Sequence, residues 1–176
     1  MNIVITILLV LAGVIALLLI VALLAKKEFN IHREIIINAP LQKVFDYSRQ
    51  LKNWDHFSTG AMVDSDRKRE FKGTDGTVGF IYAWSGNKKA GEGEKEIKAI
   101  EEGKKIEIEI RFIKPFTAVG HSNLVTESIS GNQTKVTLSN ASKIKYPFNI
   151  MVSMMEKRLP KDLDASLSTL KNILEK

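Results

Sequence analysis

The sequence predicts an α+β protein, with a curved antiparallel sheet packed on one long C-terminal helix and an apolar helix at the N-terminus. Three observations lead to this prediction. No charged side chain occurs in residues 3–25, apolar and polar residues alternate along several central segments, and leucines recur at helical spacing near the C-terminus. Alternation is typical of strands with one buried face, whereas steps of three and four residues place side chains on one stripe of a helix.

The apolar run at the N-terminus is long enough to cross a membrane. As a helix, residues 3–25 would extend about 34 Å, against roughly 30 Å for the hydrocarbon core of a bilayer. A cleaved signal peptide is the alternative. However, no Lys or Arg precedes the run, and cleavage after Ala25 would put Leu23 where a small residue is required. We therefore predict that residues 1–27 form a transmembrane anchor.

The charges that flank this run predict its orientation. Lys26, Lys27 and Arg33 follow the run, and no basic residue precedes it. Because basic flanks stay on the cytoplasmic side, we expect a single-pass membrane protein whose domain lies in the cytoplasm. Strand-like alternation begins near Phe29, so the linker reaches only about 10 Å. The domain is therefore expected to lie against the lipid bilayer, and the bilayer is one of its predicted partners.

Residues 28–176 are predicted to form one domain, since 44% hydrophobic and 26% charged residues suffice for a single core. A first strand runs from Phe29 to Ile37, and Pro40 then stands near the start of a short helix. A second short helix at 51–56 carries Trp54. Six further strands are predicted at 62–71, 78–85, 90–100, 106–112, 117–129 and 133–140.

A long helix is predicted from Pro147 to Lys176. Its apolar stripe comprises Leu159, Leu163, Leu167, Leu170 and Leu174. Pro160 lies inside this pattern, where it removes one hydrogen bond and clashes with the carbonyl of Glu156. We therefore expect a kink there, or two abutting helices.

Composition excludes several classes of site. The chain has no cysteine, which excludes disulfides and thiolate metal sites, and its three histidines do not occur at a ligand-like spacing. We therefore predict no metal and no cofactor. The net charge is +6, but basic and acidic residues are interspersed and no basic-aromatic nucleic-acid motif occurs. A mildly basic surface is expected, without a nucleic-acid partner.

Four short motifs, in this order of elements, resemble those of a known superfamily. They are Ala39-Pro40 with Val44-Phe45, Asn53-Trp54, Tyr82-Ala83-Trp84 before a Gly-Asn turn, and Gly91-Glu92-Gly93-Glu94. Over residues 29–176 the chain resembles the START/Bet v-like helix-grip superfamily. Within it, the chain is most similar to the SRPBCC branch of polyketide cyclases/dehydrases and lipid transport proteins. One departure is that His56-Phe57-Ser58 stands where the family often has a second Trp.

The resemblance implies a seven-stranded sheet curled around the C-terminal helix, with an elongated apolar cavity between them. Tyr82 and Trp84 share a strand face with Phe80, and methionines cluster at the start of the long helix. Such side chains serve either as core or as the lining of an adaptable apolar site. The predicted ligand-binding residues are Trp54, Phe80, Tyr82, Trp84, Phe112, Met151, Met154 and Met155.

The predicted function is the binding, with or without transport, of a hydrophobic small molecule such as a lipid, isoprenoid, quinone or polyketide-like compound. An enzyme of the polyketide cyclase/dehydrase type and a ligand-free interaction module are the alternatives. Glu92 and Glu94 share a strand face and could serve acid–base chemistry, but water-facing ion pairs with nearby lysines are the favoured interpretation. Arg33 could reach a ligand headgroup, whereas Arg111 is expected to face outward. No nucleophile has an evident partner, so no catalytic residue is predicted.

Overall fold

Seven strands make one antiparallel sheet in the computed structural model, which describes residues 2–176. They are β1 Glu28–Ile37, β2 Lys68–Lys72, β3 Ile81–Ser85, β4 Glu92–Glu101, β5 Lys105–Lys114, β6 Ala118–Ser130 and β7 Gln133–Lys143. The sheet order is β1-β7-β6-β5-β4-β3-β2, so the first strand pairs with the last. All consecutive strands from β2 to β7 are neighbours.

The described helices are α1 Ile3–Leu24, α2 Leu41–Arg49, α3 Thr59–Met62 and α4 Val152–Leu174. Two 3₁₀ segments, Leu51–His56 and Phe148–Met151, precede α3 and α4. The curved sheet with a long C-terminal helix is the predicted helix-grip fold, and that prediction is confirmed.

Helix α4 contacts the domain core mainly through its leucine stripe. Leu163, Leu167, Leu170 and Leu174 are each less than 5% exposed and join the main hydrophobic cluster with residues of the sheet. Burying one such side chain stabilises the fold by about 1.5–3 kcal/mol. Leu159 instead packs against a smaller cluster near the anchor, formed by Phe29, Ile144 and Val152.

The structure corrects two of the predicted strands. In place of a strand over 62–71, Thr59–Met62 forms helix α3, and β2 begins only at Lys68. The strand predicted from Val78 begins at Ile81, because Gly76 and Gly79 adopt φ values of +77° and +87°. Such left-handed conformations are incompatible with a strand.

Of the two outcomes expected at Pro160, abutting helices do not occur at the proline, and the kink stays a prediction. Helix α4 continues through Pro160, and the change of helix type falls earlier, between Met151 and Val152. Two helices therefore do abut in this region, but at the 3₁₀-to-α junction and not at the proline.

Helix α1 is apolar and exposed almost throughout, with a mean hydropathy of 3.4 over its most apolar 18-residue window. It is long and apolar enough to span a membrane. Its C-terminal end is joined to the domain. Lys26 Nζ forms an ion pair with Glu156 at 2.9 Å, and the Ile144 N–H donates to the Lys27 carbonyl at 2.7 Å.

Candidate ligand-binding cavity

A cavity of about 290 Å³ lies between the sheet and helix α4. The sheet contributes Trp84, Ile110 and Phe112, and the helix contributes Leu159 and Leu163. Strand residues two apart project to the same face, which is why β5 offers both Ile110 and Phe112 to this space.

A second, more apolar chamber of about 110 Å³ adjoins the cavity. Ile110, Phe112, Asn140 and Leu159 line both spaces. The chamber extends toward the anchor, where Phe29, Phe116, Ile144 and Met155 complete its wall. Together the two spaces form an elongated, mainly apolar site.

The N-terminal end of α3 closes the end of the cavity that lies away from the anchor. Ser58, Thr59 and Gly60 line the cavity there. The Thr59 N–H donates to Ser166 Oγ at 3.0 Å, and Thr59 Oγ1 donates to the Asp162 carbonyl at 3.1 Å. These hydrogen bonds hold the first residue of α3 against α4.

The structure brings together four of the eight predicted ligand-binding residues. Trp54, Trp84 and Phe112 line the cavity, and Met155 lines the chamber. The Phe112 ring meets Trp84 edge-on, with centroids 6.1 Å apart. Their role in ligand binding stays a prediction.

The other four predicted residues lie outside both spaces. Phe80 and Tyr82 are buried in the core, and Met151 is half-buried at the start of α4. Met154 is 55% exposed and lies on the outer face of α4. It follows buried Val152 by two residues, and two residues turn a helix by about 200°. Met154 therefore lies away from both spaces, and its role in ligand binding stays a prediction.

A close approach of the backbone positions Trp84. A Cβ on Gly93 would lie 2.7 Å from Trp84 Cζ2 and 2.6 Å from the Arg111 carbonyl oxygen, so only glycine fits there. The indole N–H donates to the Ala90 carbonyl at 3.1 Å. Glycine at this strand position therefore lets the ring lie flat against β4.

The Glu92 and Glu94 carboxylates form ion pairs on the outer face of the sheet. Glu92 pairs with Lys114 at 2.7 Å, and Arg111 binds Glu94 at 2.6 Å and Glu96 at 2.8 Å. These hydrogen bonds raise the pKa of the Arg111 guanidinium. The pair is thus held by surface cations, as the favoured interpretation has it, although lysines 88, 89 and 95 are not the partners. Arg33 pairs with Asp164 at 3.3 Å.

A polar network that the sequence did not indicate lies beside the cavity. Arg67, whose side chain is only 3% exposed, donates through Nη2 to Asp55 Oδ1 at 2.6 Å and to Tyr82 Oη at 2.8 Å. Arg69 binds the other Asp55 oxygen at 2.8 Å. Burial, and then the hydrogen bond with Asp55, raises the pKa of Tyr82. The phenol therefore stays neutral at physiological pH.

Lys95 is the most unusual group of the cavity wall. It is 9% exposed, and Nζ lies 5.5 Å, 5.6 Å and 5.9 Å from the ring centroids of Trp54, Tyr82 and Trp84. Burial, and to a smaller extent repulsion from Arg67, lowers the pKa of Lys95 to about 8, although the Asp55 carboxylate partly opposes both effects. Within residues 2–176, no carboxylate forms an ion pair with this ammonium.

Sequence alternation could have located Lys95. It shares a face of β4 with buried Gly93 and Ile97, while Glu94 and Glu96 occupy the opposite face. A lysine at an inward position of a strand is rare without a partner.

Residues 28–175 match the family model described as polyketide cyclase/dehydrase and lipid transport. The chain belongs to this family. No curated protein matches the sequence. Family members share a fold that binds hydrophobic small molecules, in agreement with the space between sheet and helix.

Solved structures of the same fold are distant in sequence. Norcoclaurine synthase from Thalictrum flavum, in complex with dopamine and hydroxybenzaldehyde, is 12% identical with a TM-score of 0.64, covering 88% of this chain and 90% of its own. A Nitrosospira multiformis protein is 18% identical with a TM-score of 0.57, covering 83% and 96%. Ara h 8.0201 is 14% identical with a TM-score of 0.56, covering 84% and 97%. These likenesses establish the fold and not the ligand.

Proposed function

We propose that this protein is a membrane-anchored binding protein for a hydrophobic small molecule, such as a lipid, isoprenoid, quinone or polyketide-like compound. Residues 1–27 serve as the anchor and residues 28–176 as the ligand-binding domain. The observation that carries the proposal is the space between sheet and helix, about 290 Å³ joined to about 110 Å³, which the side chains of the domain leave unfilled. A ligand-free interaction module would fill that space with its own core.

The lining of the chamber supports an apolar ligand. Phe29, Phe116, Ile144 and Met155 offer aromatic, aliphatic and thioether surface, against which a hydrocarbon tail gains about 25 cal/mol per Å² of buried area. An affinity in the micromolar range, about −8 kcal/mol, is expected from such a site.

The position of the anchor supports exchange of ligand with a bilayer. A cleft lies between the end of α1 and the sheet, and Phe29, His121, Ala141 and Ser142 line both this cleft and the chamber. The chamber therefore adjoins this cleft at the end where α1 would leave the membrane. The basic flank of α1 supports a cytoplasmic domain.

One observation favours an enzyme of the cyclase/dehydrase type as a second candidate. Lys95 faces the cavity with a pKa of about 8, close enough to neutrality for proton exchange with a bound molecule. Turnover would require a reactive group of the ligand within hydrogen-bond reach of Nζ.

Native mass spectrometry of the full-length protein, extracted in a mild detergent, tests the binding function. Wild type should retain a lipid-sized adduct. Gly120→Leu should lose it, because residue 120 lines the chamber and a leucine side chain there would fill the space that the ligand needs. The variant should still fold, since a Cβ at this position meets only ordinary contacts of 3.6 Å or more. Gly131→Leu, in an exposed hairpin turn with no atom near its Cβ, is the matched control. Absence of any adduct from wild type, even after addition of a long-chain probe, would contradict the proposal.

A further inference from the structure

Two buried cations face the same pair of rings beside the cavity. The Arg67 guanidinium carbon lies 5.5 Å from the Tyr82 ring centroid and 6.0 Å from that of Trp84. Lys95 Nζ lies 5.6 Å and 5.9 Å from the same two centroids. Arg67 and Lys95 both line the cavity, so its polar end is strongly basic.

The surrounding carboxylates do not balance this charge. Among residues 2–176, Asp55 is the only acid that forms an ion pair with Arg67, and the same carboxylate also pairs with Arg69. Asp162, which lines the cavity, forms an ion pair with Arg158 at 3.2 Å. Lys95 therefore has no counterion within residues 2–176, and the buried Arg67 Nε has no hydrogen-bond partner there.

Such an arrangement is costly unless something else supplies the missing charge. A buried ammonium without a partner is disfavoured by several kcal/mol, whereas a buried charge that is paired and hydrogen-bonded is tolerated. The rings around Lys95 offset part of this cost through cation–π contact, but they provide no acceptor oxygen. The unused donors, Lys95 Nζ and Arg67 Nε, belong to the same end of the cavity.

We infer that Lys95 and Arg67 form a binding site for the carboxylate head of an amphiphilic ligand, whose apolar tail extends into the chamber. The inference rests on the proposed function and specifies its ligand class. A carboxylate carries one negative charge and would supply the counterion that Lys95 lacks. A phosphate monoester would bring three acceptor oxygens, one more than the two unused donor groups, Lys95 Nζ and Arg67 Nε. The two oxygens of a carboxylate can each accept a hydrogen bond, one from Lys95 Nζ and the other from Arg67 Nε.

The chain carries its own reporter for this site. Its two tryptophans, Trp54 and Trp84, both line the cavity. Bromine quenches indole fluorescence on contact, so a brominated probe reports occupancy directly. The experiment uses the full-length protein in phosphatidylcholine vesicles. It is titrated with 5-bromododecanoate, whose bromine is near the carboxylate and therefore in the part of the site that the tryptophans line, and, separately, with the uncharged methyl ester of this acid.

Wild type should bind the carboxylate at least tenfold more tightly than Lys95→Met does, while the two proteins bind the methyl ester within twofold of each other. Lys95→Arg should retain most of the preference, because it restores a cation. Lys98→Met is the matched control, since Lys98 lies on the same strand but is exposed and paired with Glu96. It should behave as wild type. Partition of each probe into the bilayer is the same for all variants and cancels from the ratios.

The outcomes separate this inference from the proposed function. Equal carboxylate affinity of wild type and Lys95→Met, with the ester still bound, would overturn the inference and leave the binding function intact. Quenching by neither probe in wild type would overturn both. A thermal melt of each variant verifies folding, and Lys95→Arg keeps the test decisive if Lys95→Met is poorly folded.

Discussion

Asn149 Nδ2 donates a hydrogen bond to the carbonyl oxygen of Ala22 at 2.6 Å, joining the segment before α4 to the last turn of α1. The same amide lies 3.1 Å from the Ala25 carbonyl and 3.4 Å from that of Lys26. The last carbonyls of a helix have no partner within it, so one buried side chain satisfies a helix end that would otherwise be unpaired. The anchor and domain are therefore coupled by a specific contact and not only by the short linker.

Replacement of Asn149 by leucine should loosen this junction. The carbonyls of Ala22 and Ala25 would lose their donor in a buried place, at a cost of about 1–3 kcal/mol. Trypsin should then cleave after Lys26 or Lys27 faster than in wild type, in full-length protein reconstituted into vesicles. Asn132→Leu, in an exposed turn, is the control and should leave the rate unchanged. Equal cleavage of the two variants would show that the junction is held by other contacts.

The orientation of the domain can be tested in living cells. Because Lys26 and Lys27 follow α1 and no basic residue precedes it, a reporter fused after Lys176 should lie in the cytoplasm. A fluorescent protein that matures only in the cytoplasm should be bright, and alkaline phosphatase at the same site should be inactive. Substitution of both lysines by glutamine should reduce this preference. An active phosphatase fusion would mean that the domain lies on the opposite side.

The stripe of α4 gives a prediction with an adjacent control. Leu167 is 1% exposed in the core, so Leu167→Asp would bury a charge without a partner and cost several kcal/mol, enough to unfold an average domain. Ser168 is exposed, and Ser168→Asp should change the free energy of unfolding by less than about 0.5 kcal/mol. Urea unfolding followed by tryptophan fluorescence measures both. Similar losses from the two would place the stripe on another face.

Periodicity was sufficient for the elements whose burial is one-sided. The leucines of α4 and the alternation of β5 predicted both element type and inward face, because α4 buries one stripe from Leu163 to Leu174 and β5 buries Ile106 and Ile108 on one face. The pattern failed at 59–72, where exposed charged residues give no contrast between faces. Helix α3 is four residues long and is held by Thr59 contacts with α4, which no local pattern records.

The site was predictable only in part, for a related reason. Trp84 and Phe112 follow from alternation, but the pairing of Arg67 with Asp55 depends on two segments that meet only in the folded chain. Composition grouped Met154 with the other methionines, whereas the helical turn directs its side chain outward and away from the cavity. Residue type indicated an apolar cavity, and the alternation of β4 could have located Lys95 on its wall. Arg67, which lies just before β2, could be placed only in the folded chain.

The buried ammonium of Lys95 should make stability depend on pH in a distinctive way. The other ionisable groups around it are Asp55, Arg67, Tyr82, Lys89, Arg158 and Asp162. Folding lowers the pKa of Lys95 from 10.5 to about 8, so between these values the unfolded chain binds more protons than the folded chain. Stability must therefore rise with pH across that window, and below pH 8 the full cost of burying the charge applies.

Lys95→Met lacks this titration and serves as the reference. Relative to it, wild type should gain about 2 kcal/mol in the free energy of unfolding between pH 7 and pH 9.5. Tyr82 does not interfere, because its raised pKa keeps it neutral over this range, and the other lysines cancel in the comparison. The measurement is a series of urea titrations of both proteins in the same detergent, with tryptophan fluorescence as the signal. A constant difference between the two across this range would mean that Lys95 is solvated in the folded protein, and its ammonium would then have no need of a ligand's charge.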